Sequence, residues 1–359
     1  MSESLAVAIA GVGAVADKHA LALSELEHAE LVAGSCRTKA KGEAFADEWD
    51  ASWWDDTATM LDEVAPDVLI VCTPSGAHLE PTTAGLERDV HVLCEKPLEI
   101  TTERIDRMIA TAEESNGNLG GVFQQRFSNV LDPVAEAARS GRFGRLAVAN
   151  AYVPWWRDDE YYANAWQGTR ELDGGGALMN QSIHAIDAIQ WLAGLAIGVD
   201  ETENPVDQVQ AYTGTLCHDD AEIEVEDTAV ASVRYADGTL GQVLGSTAMY
   251  PGSRRRLQLA GRDGTAEIRE DELAIWSFRD ERPTDEEIRE ELGSADAGKG
   301  GAADPMAIDH APHRRTIQAF LDSVTGGDPY PVAPREARKS VAIIEAIYDS
   351  ARRNVPVSL

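Results

Sequence analysis

Residues 5–16 read LAVAIAGVGAVA, and this stretch decides the fold of the first half of the chain. The apolar run 5–10 predicts a buried strand, and the glycine motif directly after it opens a helix. Gly11 allows a tight turn, Gly13 lets a pyrophosphate approach the main chain, and Ala16 lets helix and strand pack closely. Because a helix start attracts phosphates, we expect dinucleotide binding there. The predicted contacts come from Gly11, Gly13, Ala14 and Val15.

The elements around this motif predict two domains. From residue 5 to residue 123, short apolar runs alternate with amphipathic helical stretches, which predicts βαβ units and a parallel sheet. Between residues 206 and 278 the pattern changes to period-two runs, with Asp237-Gly238 as a hairpin turn, and predicts an antiparallel sheet. We therefore expect an α/β Rossmann domain at 1–123. An α+β domain for substrate binding and oligomerisation, with a large, mostly antiparallel open sheet, follows at 124–359.

Three further expectations concern this second domain. Residues 281–305 are charged and glycine-rich, which predicts a mobile acidic surface loop. The last helix, near 334–353, is a candidate for packing back on the first domain. An open sheet with an apolar outer face needs a partner, so we expect a homodimer or homotetramer formed through that sheet.

The charge balance excludes several partners. The chain has 62 acidic and 31 basic residues, and its net charge is −31. Such a surface repels nucleic acid and anionic membranes. Self-repulsion of this size is screened in molar salt, where the Debye length is about 3 Å, so we expect a halophilic source; a merely acidic protein is the alternative.

Localisation and metal content follow from what the sequence lacks. No apolar run approaches the ~20 residues of a membrane span, and the start does not resemble a signal peptide, so we expect a cytoplasmic protein. The four cysteines form no C-x-x-C pair, so we expect free thiols and no metal site.

The end of the second strand bears on the choice of cofactor. Residues 33–38 read AGSCRT, without the acid that commonly binds a ribose 2′-hydroxyl at this point. Arg37, aided by Ser35 and Thr38 and with two lysines close behind, is suited to a 2′-phosphate, so we expect NADP in preference to NAD. An ordinary solvated arginine is the alternative.

Two more motifs are candidates for chemistry. Cys94-Glu95-Lys96-Pro97 stands at the carboxyl end of a strand, the edge of an open α/β sheet that faces ligands. A glycine turn, residues 174–176, leads into a helix on which Asn180, His184 and Asp187 share one face if the helix is regular.

These motifs together resemble the glucose–fructose oxidoreductase, inositol dehydrogenase and rhizopine-catabolism (GFO/IDH/MocA) family of NAD(P)-dependent sugar oxidoreductases. The resemblance covers almost the whole chain and includes residues 73–78 (TPSGAH), 161–169 and 313–314. It implies hydride transfer between a sugar carbon and nicotinamide, with Lys96 polarising the oxygen and His184 as general base. A histidine titrates near working pH, and an ammonium group stabilises an alkoxide, so these residue types suit those roles.

The resemblance also implies cofactor and substrate contacts. The cofactor contacts are Thr73, Pro74, His78, Glu95 and Lys96. The substrate contacts we expect are Arg126, Tyr162, Trp166 and His313. The aromatic residues are equally compatible with a core, and His78 with a surface histidine at a helix start.

One position departs from the pattern of many relatives, which carry Asp where this chain has Asn180. An amide can bind a substrate hydroxyl, but it adds no charge that would raise the basicity of His184. Asp187 is the candidate to supply that charge. The departure leaves the substrate open more than the activity.

Three alternative functions stay open. They are a dehydrogenase of nucleotide-linked sugar acids, an NAD-dependent glycosidase-like enzyme and a non-catalytic cofactor-binding regulator. Arg254-Arg255-Arg256 is a candidate for binding a nucleotide, although we favour bridging to acidic neighbours as the explanation of the cluster. Glycosidase-like relatives often carry an export signal, which we do not see here. Retention of Lys96 and His184 argues against the regulator.

Overall fold

The computed structural model describes residues 4–163, 166–200, 202–218, 223–293 and 310–359. The chain separates into two compact units. Unit 1 comprises Met1–Gln124 and Asp309–Arg338, and unit 2 comprises Gln125–Ile308 and Lys339–Leu359. The sequence predicts one domain over 124–359, whereas in the structure Asp309–Arg338 belongs to unit 1.

Unit 1 contains a parallel sheet of six strands in the spatial order β3-β2-β1-β4-β5-β6. Its strands are β1 (Leu5–Ala10), β2 (Ala29–Ser35), β3 (Ser52–Trp54), β4 (Val68–Val71), β5 (His91–Cys94) and β6 (Leu119–Gly121). The order reverses at β1, so the carboxyl ends of β1 and β4 open the crevice in which Rossmann sheets bind ligands. The predicted Rossmann domain is confirmed.

Helices connect these strands and cover the sheet. They are α1 (Ala14–Ser24), α2 (Lys39–Trp49), α3 (Thr57–Val64), α4 (Leu79–Leu86), α5 (Thr102–Glu114) and, after a return of the chain, α10 (Ala311–Val324); short 3-10 turns lie at Ser75–Ala77 and Gln124–Phe127. Helix α10 packs against α1 and β5. Its apolar face, which includes Ile317 and Phe320, is buried, and burial of that face explains why this late segment belongs to unit 1.

Unit 2 contains an eight-stranded sheet in the order β13-β12-β11-β7-β10-β9-β8-β14. Its strands are β7 (Leu146–Pro154), β8 (Val206–Gly214), β9 (Thr228–Tyr235), β10 (Leu240–Ser246), β11 (Arg256–Gly261), β12 (Gly264–Arg269), β13 (Glu272–Phe278) and β14 (Val357–Ser358). Every pairing is antiparallel except that of β7 with β10. The predicted, mostly antiparallel sheet is confirmed.

The helices of unit 2 are α6 (Leu131–Arg139), α7 (Asp159–Tyr162), α8 (Ile183–Ile197), α9 (Thr284–Leu292) and most of α11 (Pro334–Arg353). Helix α8 packs on β7 and β11. On the opposite face of the sheet Tyr212 and Leu240 are exposed, and an oligomer formed through that face stays a prediction. None of the helices in the described residues has the length and apolarity needed to cross a membrane.

Helix α9 lies where we expected a loop, within residues 281–305. Asp285 in its first turn is buried and accepts hydrogen bonds from Arg142 at 2.6 Å and from the Trp276 indole at 2.8 Å. Arg142 lies far away in the sequence and Trp276 lies on strand β13, so helical periodicity does not reveal these partners. Residues 294–305 of the expected loop lie outside the described part of the chain.

Candidate functional site

The glycine loop between β1 and α1 has the shape that a dinucleotide requires. Gly11 has a φ of +91°, and a Cβ there would lie 2.6 Å from the main-chain nitrogen of Thr73. Among the described residues, a Cβ on Gly13 would meet nothing within 4 Å, and no side chain caps the start of α1. The open space beside an uncapped helix start therefore fits a pyrophosphate.

The residues at the end of β2 that are predicted to bind a 2′-phosphate differ in their exposure. Ser35 is 2% exposed, and its hydroxyl lies 2.8 Å from that of Thr57, so it faces the interior. Arg37 and Thr38 are exposed. Arg37 and Thr38 are therefore accessible to a ligand, whereas the Ser35 side chain supports the loop.

The loops after β4 and β5 are joined by His78. Its Nδ1 lies 2.8 Å from the carbonyl oxygen of Pro97, and its Nε2 lies 2.8 Å from that of Thr73. The Thr73 hydroxyl donates to the Ala77 carbonyl at 2.9 Å. His78 is 1% exposed, so we reassign it from cofactor contact to a bridge between the two loops.

Glu95 anchors the main chain at Lys96. Its Oε2 accepts a hydrogen bond from the Lys96 main-chain nitrogen at 3.0 Å, and its Oε1 accepts one from His19 Nε2 at 2.8 Å. Burial alone would raise the pKa of Glu95, but the hydrogen bond from His19 and the positive charges around the carboxylate, among them Lys96, lower that pKa to about 2. Glu95 is therefore a buried carboxylate at working pH.

His313 completes this group, which we call the buried triad: His19, Glu95 and His313. The ring of His313 stands edge-on to that of His19, with centroids 5.4 Å apart. Burial, together with repulsion from His19, lowers the pKa of His313 to about 4, so its imidazole is neutral at working pH. Ligand-type atoms of the three residues lie within 4.8 Å of one another.

The carboxylate of Glu226 holds the main chain of the segment that leads to His184. Glu226 Oε2 accepts from the Gly176 main-chain nitrogen at 3.1 Å, and Oε1 accepts from that of Leu178 at 2.9 Å. Burial raises the pKa of Glu226 above its usual value despite these bonds. A π-helical turn, Ala177–Ser182, follows, and His184 lies in the first turn of α8 with 8% exposure.

Asn180 lies in this π-helical turn. The prediction that it shares one helix face with His184 and Asp187 assumed a regular α-helix. The amide of Asn180 is bound within unit 2: Nδ2 donates to Asp173 Oδ1 at 2.6 Å, and Oδ1 accepts from Gln181 Nε2 at 3.1 Å. Asp173 is 1% exposed. A carboxylate therefore lies beside Asn180, although the sequence position itself lacks one.

Asp187, which we expected to supply charge to His184, is held by Arg126 and Ser340. Its carboxylate accepts two hydrogen bonds from Arg126, both of 2.6 Å, and one from the Ser340 hydroxyl at 3.1 Å. The side chains of Arg126 and Asp187 are 3% and 1% exposed. The guanidinium also lies 5.0 Å from the ring centroid of Trp191. Arg126 therefore neutralises Asp187 in the interior, which argues against the predicted substrate contact.

Two of the other predicted substrate contacts are also interior residues. Tyr162 is 7% exposed, its hydroxyl donates to Thr247 at 2.9 Å, and burial raises its pKa to about 12. His313 is 3% exposed within unit 1. Trp166 is part-exposed, and its substrate contact stays a prediction.

A polar network beside Asn180 was missed from the sequence. Arg157 Nη2 donates to Gln181 Oε1 at 2.9 Å, and Gln181 Nε2 donates to the Tyr161 hydroxyl at 2.8 Å. Arg157 is 5% exposed. It is the one basic residue between positions 146 and 169 of a chain poor in basic residues, and this isolation was the available signal.

The arginine cluster 254–256 mainly serves acidic neighbours. Arg254 donates to Glu272 Oε2 at 2.7 Å, and the Arg255 guanidinium lies 3.9 Å from Glu270 Oε2 and 3.7 Å from Asp271 Oδ1. Arg256 stands over the Tyr152 ring at 5.3 Å. The bridging explanation thus accounts for two of the three arginines.

Comparison with known proteins agrees with this architecture. The sequence model described as "Oxidoreductase family, NAD-binding Rossmann fold" matches residues 5–121, and the GFO/IDH/MocA C-terminal domain matches residues 133–267. D-glucoside 3-dehydrogenase of Escherichia coli (strain K12) is 29% identical, over 100% of this chain and 98% of its own. The WlbA dehydrogenase from Bordetella pertussis, solved in complex with NADH and UDP-GlcNAcA, is 29% identical with a TM-score of 0.89, over 100% and 99% of the two chains. The chain therefore belongs to the GFO/IDH/MocA family of oxidoreductases.

Proposed function

We propose that this protein is an NAD(P)-dependent dehydrogenase that acts on a CH–OH group of a sugar or sugar derivative. The observation that carries the proposal is the anchoring of Lys96 by a buried carboxylate at the carboxyl end of β5, in the unit that also bears the glycine loop. The relationship to D-glucoside 3-dehydrogenase over the full chain supports the same substrate class.

Lys96 and His184 have separate roles in this proposal. The Lys96 ammonium donates a hydrogen bond to the substrate oxygen and stabilises its alkoxide character. His184 accepts the hydroxyl proton during oxidation and returns it during reduction. The nicotinamide, when bound, accepts or supplies the hydride. Asn180, held by Asp173, contributes to the polar surroundings of the substrate rather than to proton transfer.

A panel of substrates tests this function. Free sugars, glycosides, sugar phosphates and UDP-linked sugars and uronic acids are each mixed with the protein and either NAD or NADP, and nicotinamide absorbance is followed. We expect turnover with at least one sugar class. Dinucleotide binding without turnover of any member, in either direction, would contradict the dehydrogenase and favour the regulator.

A nucleotide-linked sugar acid is the second candidate substrate. The observation in its favour is the full-length similarity to WlbA, whose structure contains UDP-GlcNAcA. Turnover of UDP-uronic acids but not of the matching free uronic acids would select this candidate.

We further propose that NADP is preferred over NAD because Arg37 is exposed after β2. A guanidinium–phosphate hydrogen bond contributes about 1.5–3 kcal/mol, so Arg37→Ala is expected to lower kcat/KM with NADP about 10- to 100-fold and to change kcat/KM with NAD little. Arg107→Ala is the matched control, since Arg107 is an exposed arginine on α5, outside the predicted cofactor contacts. A parent enzyme that prefers NAD would contradict the assignment.

A further inference from the structure

The buried triad joins three elements of unit 1. His19 belongs to α1, the helix that begins at the glycine loop; Glu95 follows β5; and His313 belongs to α10. The three residues are 0%, 6% and 3% exposed. A buried carboxylate is costly unless it is hydrogen-bonded, so these contacts are needed to keep Glu95 ionised.

The two oxygens of Glu95 have different partners. A carboxylate only accepts hydrogen bonds, so the 2.8 Å contact at Oε1 requires a proton on His19 Nε2. The other oxygen, Oε2, accepts from the main-chain nitrogen of Lys96 at 3.0 Å. A continuous hydrogen-bonded path therefore runs from α1 through Glu95 to the main chain at Lys96.

The next residue is held from another direction. The Pro97 carbonyl oxygen lies 2.8 Å from Nδ1 of the buried His78. With Glu95 on the nitrogen of Lys96 and His78 on the oxygen of Pro97, the main chain is fixed on both sides of the Lys96 side chain. His19 is the donor on the Glu95 side that comes from the dinucleotide-binding helix.

We propose that His19 is a positioning residue for Lys96: by donating its Nε2 proton to Glu95, it fixes the main chain that carries the Lys96 side chain and links it to the dinucleotide-binding helix. The inference rests on the proposed function, in which Lys96 contacts the substrate. Second-layer partners of this kind hold catalytic groups within a fraction of an ångström of their productive position.

Two substitutions at His19 separate positioning from packing. His19→Phe keeps a ring but removes the donor, whereas His19→Gln removes the ring but keeps a donor near the position of Nε2. Selective ¹⁵N-lysine labelling is suited to the test because the chain has only six lysines. Lys18 lies next to His19 on α1, and its amide reports the stability of that helix.

Hydrogen exchange of the Lys96 amide is the direct readout. One hydrogen bond to a charged group contributes about 1.5 kcal/mol or more, so exchange at Lys96 is expected to become about tenfold faster in His19→Phe and to stay near parental in His19→Gln. Exchange at Lys18 should change much less. With a substrate in hand, kcat should fall about 10- to 100-fold in His19→Phe, with dinucleotide affinity little changed, and recover in His19→Gln.

Several outcomes would overturn the inference. Unchanged Lys96 exchange in His19→Phe, or equal acceleration at Lys18 and Lys96, would reduce His19 to a packing residue. Stoichiometric zinc in the parent protein that is lost in His19→Gln would make the triad a metal site instead. If His19→Phe does not fold, Glu95→Gln with the same readout takes its place. Because hydrogen exchange needs no substrate, failure of the substrate panel would leave this result standing.

Discussion

Lys96→Ala is expected to abolish hydride transfer, with kcat/KM reduced about 10³-fold or more, while dinucleotide affinity stays within about threefold of the parent. The ammonium is needed where negative charge develops on the substrate oxygen, and removing such a group has its effect in the transition state. The glycine loop and α1, which hold the dinucleotide in our proposal, do not depend on this side chain.

The measurement has two parts. Stopped-flow absorbance gives the hydride-transfer rate, and calorimetric titration gives dinucleotide affinity. Lys96→Met is the matched variant, because it keeps an unbranched side chain but has no charge; it should be as inactive as Lys96→Ala. Parental turnover in either variant would remove Lys96 from the mechanism.

Arg126→Met is expected to destabilise unit 2 by about 3–5 kcal/mol, because it leaves Asp187 as a buried charge without its main counter-charge. The two side chains are 3% and 1% exposed, so solvent cannot compensate for the loss. Urea unfolding, followed by fluorescence from the tryptophans, measures the change. The KM for substrate of the folded enzyme should stay within about twofold of the parent, because the Arg126 guanidinium is committed to Asp187.

The double variant Arg126→Met/Asp187→Leu is the control for this prediction. Replacing both members of a buried ion pair by apolar residues is often neutral or stabilising, so much of the lost stability should return. A large rise in KM without loss of stability in Arg126→Met would restore the substrate contact that we expected from the sequence.

The residues predicted to bind the cofactor show which features of this site can be predicted from the sequence. The glycine spacing predicted the loop conformation because the requirement is local: a side chain at Gly11 would meet the main chain at Thr73, 2.6 Å away. Arg37 and Ser35 were given the same role, yet one is exposed and the other faces Thr57. Only the structure shows which of the two side chains is accessible, because accessibility depends on the direction of the strand end and on the packing of its neighbours.

Some elements escaped prediction for similar reasons. The strands β3 and β14 have three and two residues, too few to show a period. Helix α9 has no sustained apolar pattern, and Arg142, which pairs with its Asp285, lies 143 positions earlier in the sequence. Periodicity reports only neighbours along the chain.

By itself, the sequence was sufficient to predict the Rossmann unit, the antiparallel second sheet and the glycine loop. It also singled out Lys96 and His184 as candidate catalytic residues. Tertiary structure alone decided what several polar residues do. His78 bridges two loops, Arg126 neutralises an aspartate 61 positions away, and His313 joins a triad with residues from α1 and the β5 loop. The physical reason is that helix, strand and tight-turn preferences act between residues close in sequence. A buried charge or hydrogen-bonding group, in contrast, takes its role from whichever partner the fold brings to it.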